Sequence, residues 1–204
     1  MIQVKFDGIS LAKQRQLTQA RNDAVRLAAM FNAATHRSLL IEWFGAGADT
    51  DGGLIANLRL MQTVLDDSMR TVTFVERSGG SLQVSYNPDN IAQPPVLMPP
   101  GSPAAGLAGT AAYAFPTDAR GQSETKFHVG SGMRIYIGPT FGTRNQHEDA
   151  QTVYHEMTHK VLGTNDHAYD PNPCRALART DPASARKNAD NYAYFVTSLG
   201  GHRW

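Results

Sequence analysis

The run His155-Glu156-Met157-Thr158-His159 sets two imidazoles four residues apart with a carboxylate beside the first. On a helix, residues four apart share a face, so one turn presents both rings in the same direction while Glu156 lies next to them. Two histidines so placed are the first two ligands of a tetrahedral zinc ion, and a neighbouring glutamate has the reach of a general base for a water on that ion. The apolar neighbours Val153, Tyr154, Met157 and Val161 fit a helix buried beneath a cleft with one polar face.

A hydrolytic zinc site needs a third protein ligand and an open fourth position. One zincin pattern places a glycine and a histidine three and six residues after the second histidine, but those positions hold Leu162 and Asn165. Another takes a glutamate from a later helix, and none follows Glu156. Within reach are Asp166, His167, Asp170 and Asp190; Asp166 ranks first and His167 second, because Gly163 turns the chain back toward the helix.

These side chains need elements to hold them. Asn145 with Glu148 three residues later is a capping-box pattern, which predicts a helix from there to about Leu162, ended by Gly163. Apolar positions at Leu17, Ala20, Ala24, Ala28 and Phe31 predict a helix over 11–35, and Leu54, Leu58, Met61, Leu65 and Met69 a second. The segment 38–44 is apolar but of unsettled type, and the Asp-Gly-rich stretch after it reads as a loop rather than a calcium site, since the closing glutamate is missing. Residues 71–88 alternate around Ser78, Gly79 and Gly80 as a hairpin would. In the Pro/Gly/Ala-rich stretch 87–132, AAYAF is the strand candidate. Residues 134–142 read as a short strand broken by Pro139 and therefore confined to a sheet edge, where the free backbone of Ile135, Tyr136, Ile137 and Gly138 would pair with an extended substrate. Asp181 before Pro182 predicts a final helix ending at Gly200. The outcome is a single α+β domain over 1–204: helical N- and C-terminal parts, and a small mixed sheet with an edge strand beside the H-E-x-x-H helix.

Composition narrows the partners. The chain of 204 residues is 41% hydrophobic and 18% charged with a formal charge of +1, and has neither a basic stripe for nucleic acid nor an apolar run able to span a membrane. The lone cysteine, Cys174, forms no intrachain disulfide and reads as a small buried side chain; His147 and His202 read as solvated. The first residues lack the apolar stretch of a secretory signal. Export by a specialised route is the expectation, otherwise a cytoplasmic location, with a secretion apparatus or an inhibitor protein as further partner.

HEMTH followed by GTNDHAY, with RIYIGPTF before and NADNYAYF after, resembles the aspzincins, the deuterolysin and peptidyl-lysine metalloendopeptidase family; the resemblance covers about 133–196. It implies a zincin-like metalloprotease fold with one zinc per chain on His155, His159 and Asp166, Glu156 as acid/base, and Tyr169 over the transition state. Two positions depart from the family. Its glycine after the tyrosine is Asp170 here, and an acidic position near the substrate pocket is Ala193, while Asp190 is retained; the resemblance thus implies Asp190 at a pocket for a basic residue after the scissile bond. A zinc endopeptidase acting on polypeptides is the leading reading. The alternatives are a non-catalytic zinc-stabilised interaction module, which leaves Glu156 and Tyr169 without a task, and a metal-free helical binding domain.

Overall fold

The computed structural model describes residues 1–76, 111–114 and 133–204, and the backbone of 83–85 and 96–98. In chain order it contains β1 (Gln3–Asp7), α1 (Leu11–Ala29), α2 (Arg37–Phe44), a 3-10 turn (Ala48–Thr50), α3 (Gly52–Asp66), β2 (Thr71–Val75), β3 (Gln83–Ser85), β4 (Val96–Met98), β5 (Ala112–Tyr113), β6 (Arg134–Ile137), α4 (Gln146–Leu162), α5 (Pro171–Thr180), α6 (Pro182–Ala185) and α7 (Ala189–Leu199). Four strands form a mixed sheet in the order β1-β2-β6-β5, with β1, β2 and β6 parallel and β5 antiparallel to β6. The expected α+β class and small mixed sheet are found.

The helix that carries the histidines is central. Asn145 caps it, its side chain accepting from the backbone of His147 and Glu148 while Glu148 reaches back to the Asn145 N–H at 3.0 Å. Every residue from Asp149 to Lys160 is buried, because α1 packs along one side of α4 and α7 along another. The buried face of helix α1 includes Leu17, Ala20, Ala24, Leu27 and Ala28, and its alanines permit close approach. On α7, Phe195 is fully buried and its ring lies 5.6 Å from Phe31 and 5.5 Å from Phe44, while Trp43 stacks on Tyr194 at 5.3 Å. Burial of each such aromatic side chain contributes about 1.5–3 kcal/mol, and here it fixes α7 behind the metal-binding face.

Several elements differ from expectation for identifiable reasons. The strand at 134–137 is not an edge: β2 pairs with one side and β5 with the other, Ile135, Tyr136, Ile137 and Gly138 are buried, and the Gly138 N–H donates to the Ala111 carbonyl. Pro139 lies just past the strand, so its missing N–H disrupts no ladder. The edge strand beside α4 is β5, within AAYAF. Residues 71–75 and 83–85 do not form a hairpin; both sides of β2 are taken by β1 and β6, and β3 pairs with β4, while the Ser78-Gly79-Gly80 turn lies outside the described residues. Strand β1 is an addition to the expected elements, although Ile2, Val4 and Phe6 alternate. Helix α1 stops at Ala29 rather than 35, α3 ends at Asp66 with Met69 exposed beyond it, and the unsettled 38–44 lies within helix α2. The expected last helix is two, broken at 186–188 where the chain turns to meet Asn165, and α5 precedes them. Among the described residues no helix is long and apolar enough to cross a membrane.

Candidate metal centre

Two turns of α4 and the loop after it build the site. Gly163 ends the helix in a left-handed conformation (φ 67°, ψ 35°) with open space around its Cα, so it is conformation rather than crowding that calls for glycine. The loop then doubles back and is pinned: the Asn165 N–H donates to the Lys187 carbonyl, and the Asn165 carbonyl accepts from Ala189. Asn188, fully buried, accepts from the backbone of His167 and Ala168 and donates to the Ala168 carbonyl. The result is a loop that holds Asp166 above the helix.

Three donor atoms meet there. His155 Nε2 and His159 Nε2 are 3.0 Å apart, and Asp166 Oδ1 stands 3.2 Å from the first and 3.3 Å from the second. With metal–nitrogen bonds of 2.0–2.1 Å, tetrahedral ligands must be about 3.3 Å from one another, so this triangle has the size zinc requires. The other ring nitrogens are committed: His159 Nδ1 donates to the Thr164 carbonyl at 2.8 Å, and His155 Nδ1 to Asp190 Oδ1 at 2.6 Å. Both partners only accept, so both Nδ1 atoms carry the proton and both Nε2 atoms present lone pairs. Lone pairs facing each other and a carboxylate repel unless a cation sits among them. The donor set therefore fits zinc.

The electrostatics show the same demand for positive charge at this point, which protons on the histidines meet where no cation does. Burial opposes a charge on His155, but Asp166 and Asp190 outweigh it and hold the imidazole well above the usual histidine range. Burial alone would raise Asp166; hydrogen bonds from His155 and His159 instead hold it far below the usual carboxylate range. Glu156 is raised by burial against the pull of both histidines. Its Oε1 lies 3.9 Å from His155 Nε2, and its Oε2 is buried with no hydrogen-bond partner among the described residues. A buried, unsatisfied carboxylate oxygen costs roughly 1–3 kcal/mol or more, and a water at the open metal position would satisfy it.

Of the other sequence candidates, His167 is exposed, whereas the Asp166 carboxylate reaches both histidines and is the third donor. Tyr169 is 57% exposed and stacks over the His155 ring at 6.3 Å, so it faces the cleft rather than the core; burial and the Asp166 carboxylate raise its phenol above the usual range. Asp190 is corrected. It is 4% exposed and lies behind His155, with Oδ1 taken by His155 and Gln151 and Oδ2 by the Asp170 N–H, so it cannot line a substrate pocket by direct contact. Ile135, Tyr136, Ile137 and Gly138 likewise cannot offer free backbone to a substrate. Sequence reasoning missed Gln151, which its position one turn before His155 on the same face would have flagged, and Asn188, which carries no local signal. Cys174 is buried as expected, its thiol pushed up by burial. His147 and His202 stand apart from the site, with rings 4.8 Å from each other and His202 packed on Trp204.

Residues 129–197 match the profile of the aspzincin family, described as lysine-specific metallo-endopeptidase. Over this segment the chain is aspzincin-like. A stretch of 90 residues is 38% identical to a peptidyl-Lys metalloendopeptidase of Grifola frondosa, covering 43% of this chain and 23% of that protein. Another of 64 residues is 42% identical to an extracellular protease of Aeromonas hydrophila, covering 30% of this chain and 18% of that one. The chain thus spans less than a quarter of either relative's length. A solved zinc peptidase from Grifola frondosa superposes with a TM-score of 0.64 at 20% identity, covering 96% of this chain and 100% of that one. At that identity the likeness shows a shared fold.

Proposed function

We propose that this protein is a zinc-dependent endopeptidase, with His155, His159 and Asp166 as metal ligands and Glu156 as catalytic acid/base. The observation that carries the reading is the triangle of three donor atoms, 3.0–3.3 Å apart, beside a buried carboxylate oxygen with no hydrogen-bond partner among the described residues. His155, His159 and Asp166 would hold a zinc ion, which would supply a water acidified to near neutrality and a Lewis acid for the substrate carbonyl. Glu156 takes the proton at its free Oε2 and passes it to the leaving amine; its burial raises its basicity toward what the task needs. Tyr169, held over His155, donates a hydrogen bond to the carbonyl oxygen as negative charge builds there, an interaction stronger in the transition state than before it.

An extended polypeptide would lie along the sheet margin beside α4, where β5 ends the order of the described strands. Preference for a basic residue after the scissile bond is supported by the names of the peptidyl-Lys relatives and by the carboxylates of Glu156 and Asp166 at the site; Asp190 would act there through its field, from behind His155. Action outside the producing cell is part of the proposal and is supported by the name of the Aeromonas hydrophila relative.

The test is cleavage of a denatured protein by the parent and by Glu156→Gln, with and without chelator. The reading expects chelator-sensitive cleavage and a loss of roughly 10²–10⁴-fold or more in the variant. Equal cleavage by both, or cleavage that survives the chelator, would overturn it.

A further inference from the structure

We infer that Gln151 is a positioning residue for the metal centre, acting on His155 through Asp190. The inference rests on the reading of His155, His159 and Asp166 as zinc ligands. Gln151 stands one turn before His155 on α4 and is 6% exposed. Its Nε2 donates to Asp190 Oδ1 at 2.8 Å, the same oxygen that accepts from His155 Nδ1 at 2.6 Å. The other oxygen accepts from the Asp170 backbone N–H at 3.2 Å.

A carboxylate held only by His155 would rotate about its own Cβ–Cγ bond, and the imidazole would tilt with it. The Asp170 N–H on Oδ2 sets the carboxylate plane, and Gln151 holds Oδ1, the oxygen that His155 uses, in place within that plane. They also keep Asp190 an acceptor, so the His155 proton stays on Nδ1 and the Nε2 lone pair stays aimed at the point it shares with His159 and Asp166. Gln151 lies on the same rigid helix as both histidines. It ties the orienting carboxylate, which comes from α7, to the frame that carries the ligands. Outer partners of this kind typically change metal affinity by roughly 10–100-fold when removed.

The experiment compares the intact chain with Gln151→Met, which keeps the length and loses the donor, and Gln151→Glu, which puts an acceptor against an acceptor. Zinc affinity is measured by competition with a chromophoric chelator, and the visible bands of the Co²⁺-loaded protein report ligand geometry. The inference expects one zinc per parent chain, about 10–100-fold weaker binding in Gln151→Met with shifted cobalt bands, and weaker binding still in Gln151→Glu. Affinities within twofold of the parent with unmoved bands would overturn it, even if the metal-free variants melt lower, because that is all a merely structural glutamine would do. A parent that binds no zinc removes the underlying reading instead. Should the variants not fold, the parent decides: slow exchange of the Gln151 side-chain amide protons and a shift of their resonances on adding zinc support the inference, and exchange at the solvent rate with no shift overturns it.

Discussion

Asp170 occupies the position that is glycine in the resembling family, and it is the residue other than glycine with positive φ among those described, at φ 67° and ψ 153°. That region is nearly closed to residues with a Cβ, and holding one there costs roughly 1–3 kcal/mol. Asp170→Gly should release this strain. Two smaller effects oppose the gain: glycine loses about 0.5–1 kcal/mol more conformational freedom on folding, and an exposed acidic side chain at the start of α5 contributes about 0.3 kcal/mol to that helix. The Asp170 side chain makes no capping hydrogen bond there, so the substitution removes no cap. The net is a stabilisation of about 1 kcal/mol, or a rise in Tm of roughly 2–4 °C for a chain of this size. Differential scanning calorimetry on parent, Asp170→Gly and Asp170→Ala measures it. The alanine variant keeps the strain and loses the charge, so it should melt at or slightly below the parent. An unchanged or lowered Tm in Asp170→Gly, or a rise in Asp170→Ala equal to that in Asp170→Gly, would refute the strain argument. Zinc affinity should not change in the glycine variant, because the N–H that binds Asp190 remains.

Tyr169→Phe should lower kcat about 10²-fold while KM stays within about twofold, since the loss falls on the transition state; steady-state kinetics on a peptide substrate decides it. Asp23 joins α1 to the start of α4 through Gln146, and although burial works against it, hydrogen bonds from Gln146, Gln19 and Arg26 hold its carboxyl below the ordinary value. A depressed carboxyl contributes stability above its unfolded pKa of about 3.9 and loses it as pH falls through the lower folded value. Asp23→Asn should thus unfold more easily than the parent at pH 6–7, with the difference closing below pH of about 4, as followed by denaturant midpoints across pH. Phe195→Ala empties a position packed on both Phe31 and Phe44 behind α4 and should cost about 3–5 kcal/mol, read from urea unfolding.

The site was legible in the sequence to the extent that it is local. His155, Glu156, His159, Gly163 and Asp166 lie on one helix and one turn, where spacing and a left-handed cap determine direction. Asp190 was visible as a residue but not in its role, because whether a carboxylate faces a substrate or a histidine depends on how α7 packs against α4. The sheet was less legible for the same reason. Pro139 suggested an edge, but pairing on both sides of Arg134–Ile137 comes from β2, about sixty residues earlier, and from β5 across a long connection. Helix α5 was hidden by its two prolines, which sit at the start of the helix, where proline is tolerated. The break before α7 is set by Asn188, whose bonds to His167 and Ala168 exist only once the metal loop has folded back.

The most direct test is elemental analysis of the purified chain together with X-ray absorption at the zinc edge, on the parent and on Asp166→Ala. The account predicts one zinc per chain bound by two imidazole nitrogens and light oxygen ligands, and at least roughly 10²-fold weaker binding when Asp166 is removed. A chain without bound metal, or one whose zinc environment and affinity are the same with and without the Asp166 carboxylate, would contradict it.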